Sequence, residues 1–144
     1  MRRGFCAAAG VLLAACASTP DDEPQAAAPD PVAACHGLFD GDAEMAEELA
    51  RSGADGDALC ACFASEYAGL EADGRADMLA LAVTLNDVRT ANGFASVEEA
   101  VELMEEDRDG AKFGFQEDRF KATGEVIEAA ILRAMRDPAG CAAP

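Results

Sequence analysis

The chain has no tryptophan, one tyrosine and one histidine, and its 11 Lys and Arg stand against 28 Asp and Glu. Each scarcity excludes something. A Ser-His-Asp triad would have to be built on His36 alone, with no nucleophile motif beside it. The shortage of cations excludes nucleic-acid binding, which requires Lys and Arg clustered against phosphates. There is no Cys-x-x-Cys, no haem-attachment signature and no glycine loop of the kind that cradles phosphate. No apolar run approaches the ~20 residues that cross a bilayer as a helix. Alanine is abundant while β-branched and aromatic residues are sparse, so intrinsic preference favours helix over sheet. The expected class is all-α.

Of the 144 residues, roughly 110 remain once a leader and a tail-like segment are set aside, enough for one domain with one core. From Cys35 onward, 24 Asp and Glu face 9 Lys and Arg, a net charge of about −15. One reading of this acidity is solubility in a salty medium. The other is a cationic protein partner steered by the field.

Residues 1–15 open with Arg2 and Arg3 and continue through the apolar run Phe5 to Ala15, the pattern of a secretory leader. The run ends in Leu13, Ala14, Ala15, Cys16. Here the chain resembles the bacterial lipoproteins, whose lipobox is a leucine, two small residues and an obligatory cysteine. The resemblance implies cleavage before Cys16, a diacylglyceryl thioether on its sulfur and an acyl chain on the new amino terminus. Several acyl chains bury enough CH₂ to make the anchor permanent, so the first expected partner is the membrane itself, through the lipid on Cys16. Ala17, rather than Asp, at the second mature position implies export to the outer membrane in lipoproteins of the enteric Gram-negative type. An ordinary leader ending Ala-x-Ala after Ala17 is the alternative. Cys6 falls within the discarded leader.

Residues 16–31 form the expected tether, with Pro20, Pro24, Pro29 and Pro31 among Asp21, Asp22, Glu23 and Asp30. Such a segment cannot bury enough apolar surface to fold. Extended at about 3.1 Å per residue, it would hold a domain up to ~45 Å from the membrane, facing the periplasm.

Residues 32–144 read as the helical domain, a small bundle of about five helices. Val32 to Phe39 places Val32, Cys35 and Phe39 on one side. Asp42 is a good N-cap for Ala43 to Arg51, a mostly wet helix that Gly53 ends. Asp57 is the expected cap of Ala58 to Leu70, with Leu59, Cys62, Phe63 and Leu70 inward and Cys60 turned to the flank. Ala76 to Ala91 carries the widest apolar face, Met78, Leu79, Leu81, Ala82, Val83, Leu85 and Val88. It is the expected central helix. Ser96 and Glu99 form a capping box for a helix reaching about Glu106, with Val97, Val101 and Met104 inward. In Gln116 to Arg136, Phe120, Ile127, Ile131 and Met135 share a side, and Gly124 predicts a kink or break.

Four cysteines remain after Cys6 and Cys16: Cys35, Cys60, Cys62 and Cys141. In an exported protein an even set reads as two disulfides. Cys60 and Cys62 point about 200° apart on a helix, which disfavours pairing them with each other. Cys35 with Cys60 and Cys62 with Cys141 is the preferred pairing of the two left, and the other stays open. Single cysteines flanking a Cys-x-Cys helix behind such a leader also resemble small bacterial envelope proteins without an assigned activity. The same thiols with His36 could bind copper or zinc, but x-1 spacing with two distant singles is a poor metal pattern.

Glu105, Asp107, Asp109 and Gly110 occupy positions 1, 3, 5 and 6 of a calcium-loop frame. The frame then fails, with Lys112 at position 8 and Gln116 where a bidentate Glu belongs. The expected function is a non-catalytic binding or envelope-structural role at the outer membrane, with no cofactor, no resident metal and a basic envelope protein as the second partner. An inhibitor of a cationic envelope hydrolase, a weak calcium or transition-metal binder and a carboxylate enzyme are the alternatives.

Overall fold

A computed structural model describes residues 30–141 of the protein. The expected leader, the expected lipidation site Cys16 and the expected tether up to residue 29 lie outside the described residues. Those described are all-α, with no strand: α1 (Pro31–Phe39), α2 (Ala43–Ser52), α3 (Gly56–Gly69), α4 (Ala72–Asn92), α5 (Val97–Glu105) and α6 (Glu117–Arg136). There are thus six helices where about five were expected. The fold starts slightly before its expected boundary, because Asp30 caps α1 by accepting from the amides of Val32 and Ala33 and Pro31 takes the first helical position, where a missing N–H costs nothing.

Local chemistry sets the other ends. Gly53 and Gly93 close α2 and α4 in the left-handed conformation, with φ of 80° and 68°, as glycine C-caps do. The Ser96–Glu99 capping box opens α5. Asp55, not Asp57, caps α3 by accepting from Ala58 N at 2.8 Å. The cap accepts from N2 or N3, and with α3 starting two residues early at Gly56, Asp57 falls inside its first turn. α6 runs uninterrupted through Gly124. The expected break is absent because packing on both sides of the glycine outweighs a local cost of about 1 kcal/mol.

α3 lies between α1 and α6, and α4 packs against α1, α3, α5 and α6. Leu59, Cys60, Cys62 and Phe63 are all essentially inaccessible. Cys60 is therefore as central as Cys62, and the expected flank position is wrong: a helix sandwiched by neighbours buries more than one stripe. The two disulfides are Cys35–Cys60 and Cys62–Cys141, so the opposed thiols of α3 bind α1 on one side and the tail beyond α6 on the other.

Val32 and Val83, expected in the core, are 39% and 40% exposed. Ala34 and Leu38 take the inner face of α1 instead. On α6 the buried stripe includes Thr123, Ile127, Ala130 and Ala134. Small side chains at these positions let α6 approach α3 closely, which displaces Ile131 and Met135 to half-buried positions. Arg133 stitches the same seam, donating to Glu66 Oε1 at 3.1 Å, Ser65 Oγ and the Gly140 carbonyl.

The 107–115 segment is an ordered loop. Asp107 accepts from the amides of Lys112 and Phe113, both at 2.8–2.9 Å through Oδ2. Gly110 turns the chain at φ 69°, and Phe115 is buried. Arg119 stacks on the Phe115 ring at 4.5 Å, donates to the Gly114 carbonyl and pairs with Asp77 of α4. The Arg119 guanidinium beside Asp77 holds that carboxyl below the usual aspartate range.

Candidate functional site: an acidic-rimmed groove

α5 and α6 both pack on α4 yet make at most marginal contact with each other. Between them, with α2 at one end, lies an open groove of about 600 Å³, within the size range of ligand-binding clefts. Its floor is apolar: Leu38 and Phe39 of α1, Leu81 and Leu85 of α4, and Phe120 and Ile127 of α6. Met45, Val101 and Ile131 stand half-buried along its walls. The far end shares Glu105, Phe120 and Lys121 with a recess of about 170 Å³ against Arg108 and Phe115.

The walls follow from helical period. Val97, Val101 and Glu105 recur every four residues on α5, as do Glu44 and Glu48 on α2 and Gly124 and Glu128 on α6, so each helix turns one continuous stripe to the groove. Along the groove Val97 is buried and Val101 half-buried, whereas the glutamates of all three helices are exposed. Glu44, Glu48, Glu98, Glu105, Glu125 and Glu128 are all exposed on the rim. None of the six is in an ion pair among the described residues. The single basic lining residue, Lys121, bonds to Glu117 at 2.5 Å, and that partner raises the Lys121 ammonium above its usual value. The rim is thus a row of uncompensated negative charge above an apolar floor.

Asp42 holds the α2 end of the groove. This carboxylate is 4% exposed and accepts from Met45 N at 2.9 Å and from Val97 N at 2.8 Å. One side chain therefore caps two helices, α2 and α5, whose capped amides lie far apart in sequence. Both helix N-termini favour the negative charge.

The residues singled out from sequence are dispersed. His36 lies outside the groove, with Nδ1 3.2 Å from Asp40 and Nε2 3.6 Å from Asp57, in a carboxylate bracket joining α1 to the first turn of α3. The four domain cysteines are bonded in pairs inside the core. Asp107 and Asp109 satisfy the loop's own amides, Asp109 accepting from Ala111 N, and no group of three or more metal-ligating side chains converges among the described residues. No helix among them is long and apolar enough to cross a membrane. The groove itself escaped the sequence reading. Its signal was Gly124, a helix-interior glycine in a stripe whose apolar face is wider than one neighbour needs. Compared with protein-family models, curated proteins and solved structures, the chain matches none.

Proposed function

We propose that this is a lipid-anchored, periplasm-facing binding protein of the outer membrane that captures a basic protein partner on its acidic helical domain, without catalysing a reaction. The observation that carries the reading is the groove: an apolar floor of six core side chains under six unpaired glutamates. Apolar burial would supply affinity and the rim would supply steering and selection against acidic competitors. The rim carboxylates stand in water rather than against apolar walls, an arrangement suited to attracting cations and ill suited to an acid or base, whose carboxyl needs desolvation. The loop carboxylates Asp107 and Asp109 are engaged by backbone amides, which favours binding of a protein over binding of calcium.

Two measurements test the two halves of the proposal. Mass spectrometry of protein purified from membranes should find the diacylglyceryl group on Cys16; an unmodified amino terminus after Ala17 would sink the anchor. A photocrosslinker placed at Glu125 should give discrete adducts with basic proteins that fail to form when irradiation is carried out in high salt, which screens exposed charges beyond ~3 Å at 1 M. A crosslinker at Glu71, on the exposed start of α4, should not. Identical adducts from both positions would reject the groove as the binding face.

A further inference from the structure

We infer that the occupant of the groove is a cationic amphipathic helix of a partner protein, lying between α5 and α6 with its apolar stripe over Gly124. This rests on the reading of the acidic domain as a binding module and adds the partner's secondary structure and its seat. Three observations converge on it. The first is shape: α5, with nine residues, gives the groove a wall of about 14 Å, the length of two and a half helical turns. The second is charge order. An apolar floor beneath a rim of glutamates is complementary to a helix that presents leucine-like side chains on one face and Lys or Arg on both flanks.

The third is Gly124. It lies in the interior of a twenty-residue helix, where glycine is the poorest residue short of proline. A Cβ built on it meets nothing within 4 Å, its backbone has no left-handed φ, and it lines the groove. Nothing in the fold therefore requires glycine there. What it provides is a bare stretch of helix backbone in the groove wall, which lets another backbone come close. A helix crossing over Gly124 would use that; the fold alone would be served better by alanine.

The other occupants fit poorly. A second copy of this domain brings about 15 further negative charges to the same rim. The chain's own segment from Ala17 to Pro29 contains Asp21, Asp22 and Glu23 and no large apolar side chain, so it offers neither the charge nor the stripe.

The test uses the oxidised chain from Ala17 onward, since every buried core residue and both disulfides lie between Ala34 and Cys141. Two synthetic peptides of about 14 residues with the same Leu and Lys content are titrated into it by calorimetry, one spaced as an amphipathic helix and one scrambled. The amphipathic peptide should bind at least ~10-fold more tightly, and Gly124→Leu, which fills the floor, should weaken it ~10-fold or more while leaving the scrambled peptide's affinity unchanged. Gly124→Ala guards against misfolding. It should raise the melting temperature by about 4 °C and still weaken the amphipathic peptide several-fold. Equal affinities for the two peptides, or undiminished binding by both Gly124 variants, would overturn the helix assignment while leaving an acidic binding face. Binding of neither peptide would overturn the basic-partner reading as well. A dimer in sedimentation that the peptide dissolves would place a second copy in the groove and refute a heterologous partner.

Discussion

Removing the two disulfides separately should expose a competition between loop length and tail release. Cys35–Cys60 closes 25 residues and Cys62–Cys141 closes 79. In the chain-entropy model these bridges are worth about 3.5 and 4.5 kcal/mol, which ranks the longer loop first. The native state reverses the order. Cys141 follows α6 by only the segment from Asp137, and that segment is held otherwise by the Arg133 bond to Gly140 and two backbone bonds, Asp137 N to the Arg133 carbonyl and Gly140 N to the Asp137 carbonyl. Once Cys62–Cys141 is cut, this tail frays and regains roughly 1 kcal/mol of backbone entropy per residue, against about half as much in lost contacts, so about 2 kcal/mol of the loss is returned. Cys35 sits mid-helix in α1 among Ala34, Leu38 and Phe39 and cannot fray alone. The expected net costs are about 3.5 kcal/mol for Cys35→Ala with Cys60→Ala, and about 2.5 for Cys62→Ala with Cys141→Ala. For a domain of about 110 residues, with an unfolding entropy near 0.23 kcal/mol per kelvin, these become melting-temperature losses of roughly 15 °C and 11 °C. Calorimetry on both pairs measures the order, and amide exchange should show fast exchange at Gly140, whose N–H bonds to the Asp137 carbonyl in the intact protein, in the second pair. A larger loss from the Cys62–Cys141 pair, with the tail still protected, would refute the argument from tail release.

Asp42→Ala leaves the amides of Met45 and Val97 without their acceptor and should cost about 2–4 kcal/mol in urea unfolding, with Asp42→Asn intermediate because an amide side chain offers one acceptor oxygen. Equal stability of Asp42→Ala and the parent would show that the double cap is idle. Gly110→Ala places a Cβ 2.6 Å from the Phe115 backbone at a φ of 69°, and should cost about 2–4 kcal/mol by thermal melting. Gly53→Ala, with a similar φ of 80° but open space around it, should cost only about 1. The Asp77–Arg119 pair carries a pH signature. Its carboxyl is lowered in the fold by the Arg119 bond and charge, so its contribution is present above the ordinary aspartate value and lost as pH falls through the folded one. Asp77→Asn should therefore cost up to ~1 kcal/mol at pH 7 and progressively less below about pH 4; a difference that grows in acid would contradict that sign.

Several helix ends were legible because they depend on local chemistry, the Asp42 cap, the Gly53 stop and the Ser96–Glu99 box all acting within one turn, whereas α3 and α4 begin two and four residues ahead of the expected Ala58 and Ala76. That Cys60 and Cys62 would not bond to each other was legible for a related reason, since i and i+2 on a helix oppose each other whatever surrounds them; that geometry did not choose between the two pairings left. What misled was the equation of apolar with buried. Val83 and Val32 face outward, while Ala130 and Ala134 are wholly buried, because close approach of α6 to α3 selects small side chains over large ones. The groove was illegible for a deeper reason. It arises from two helices that pack on the same third helix and make at most marginal contact with each other, and no single-segment period contains that fact.

The groove's openness has a traceable cause in residues that never touch its floor. α5 is pinned at its start by Asp42 and at its end by the ordered loop, where Asp107 accepts from Phe113 N and Glu117 N donates to the Arg108 carbonyl. α6 is pinned at its start by Arg119 on Asp77 and at its end by Arg133 and the Cys62–Cys141 bridge. The two helices are thus joined by the loop at the end where Glu117 of α6 bonds to Arg108, and away from it they are held to α2, α3 and α4. Apolar side chains facing each other would ordinarily draw the walls together, and the opposed glutamates of Glu98 and Glu105 against Glu125 and Glu128 resist that closure by like-charge repulsion. On the proposed reading, the four glutamates that face each other from α5 and α6 would both attract a cationic occupant and hold its seat open. It follows that neutralising the rim should do two things at once, weakening the basic partner and letting the groove narrow, so that Glu→Gln variants bind less and melt higher.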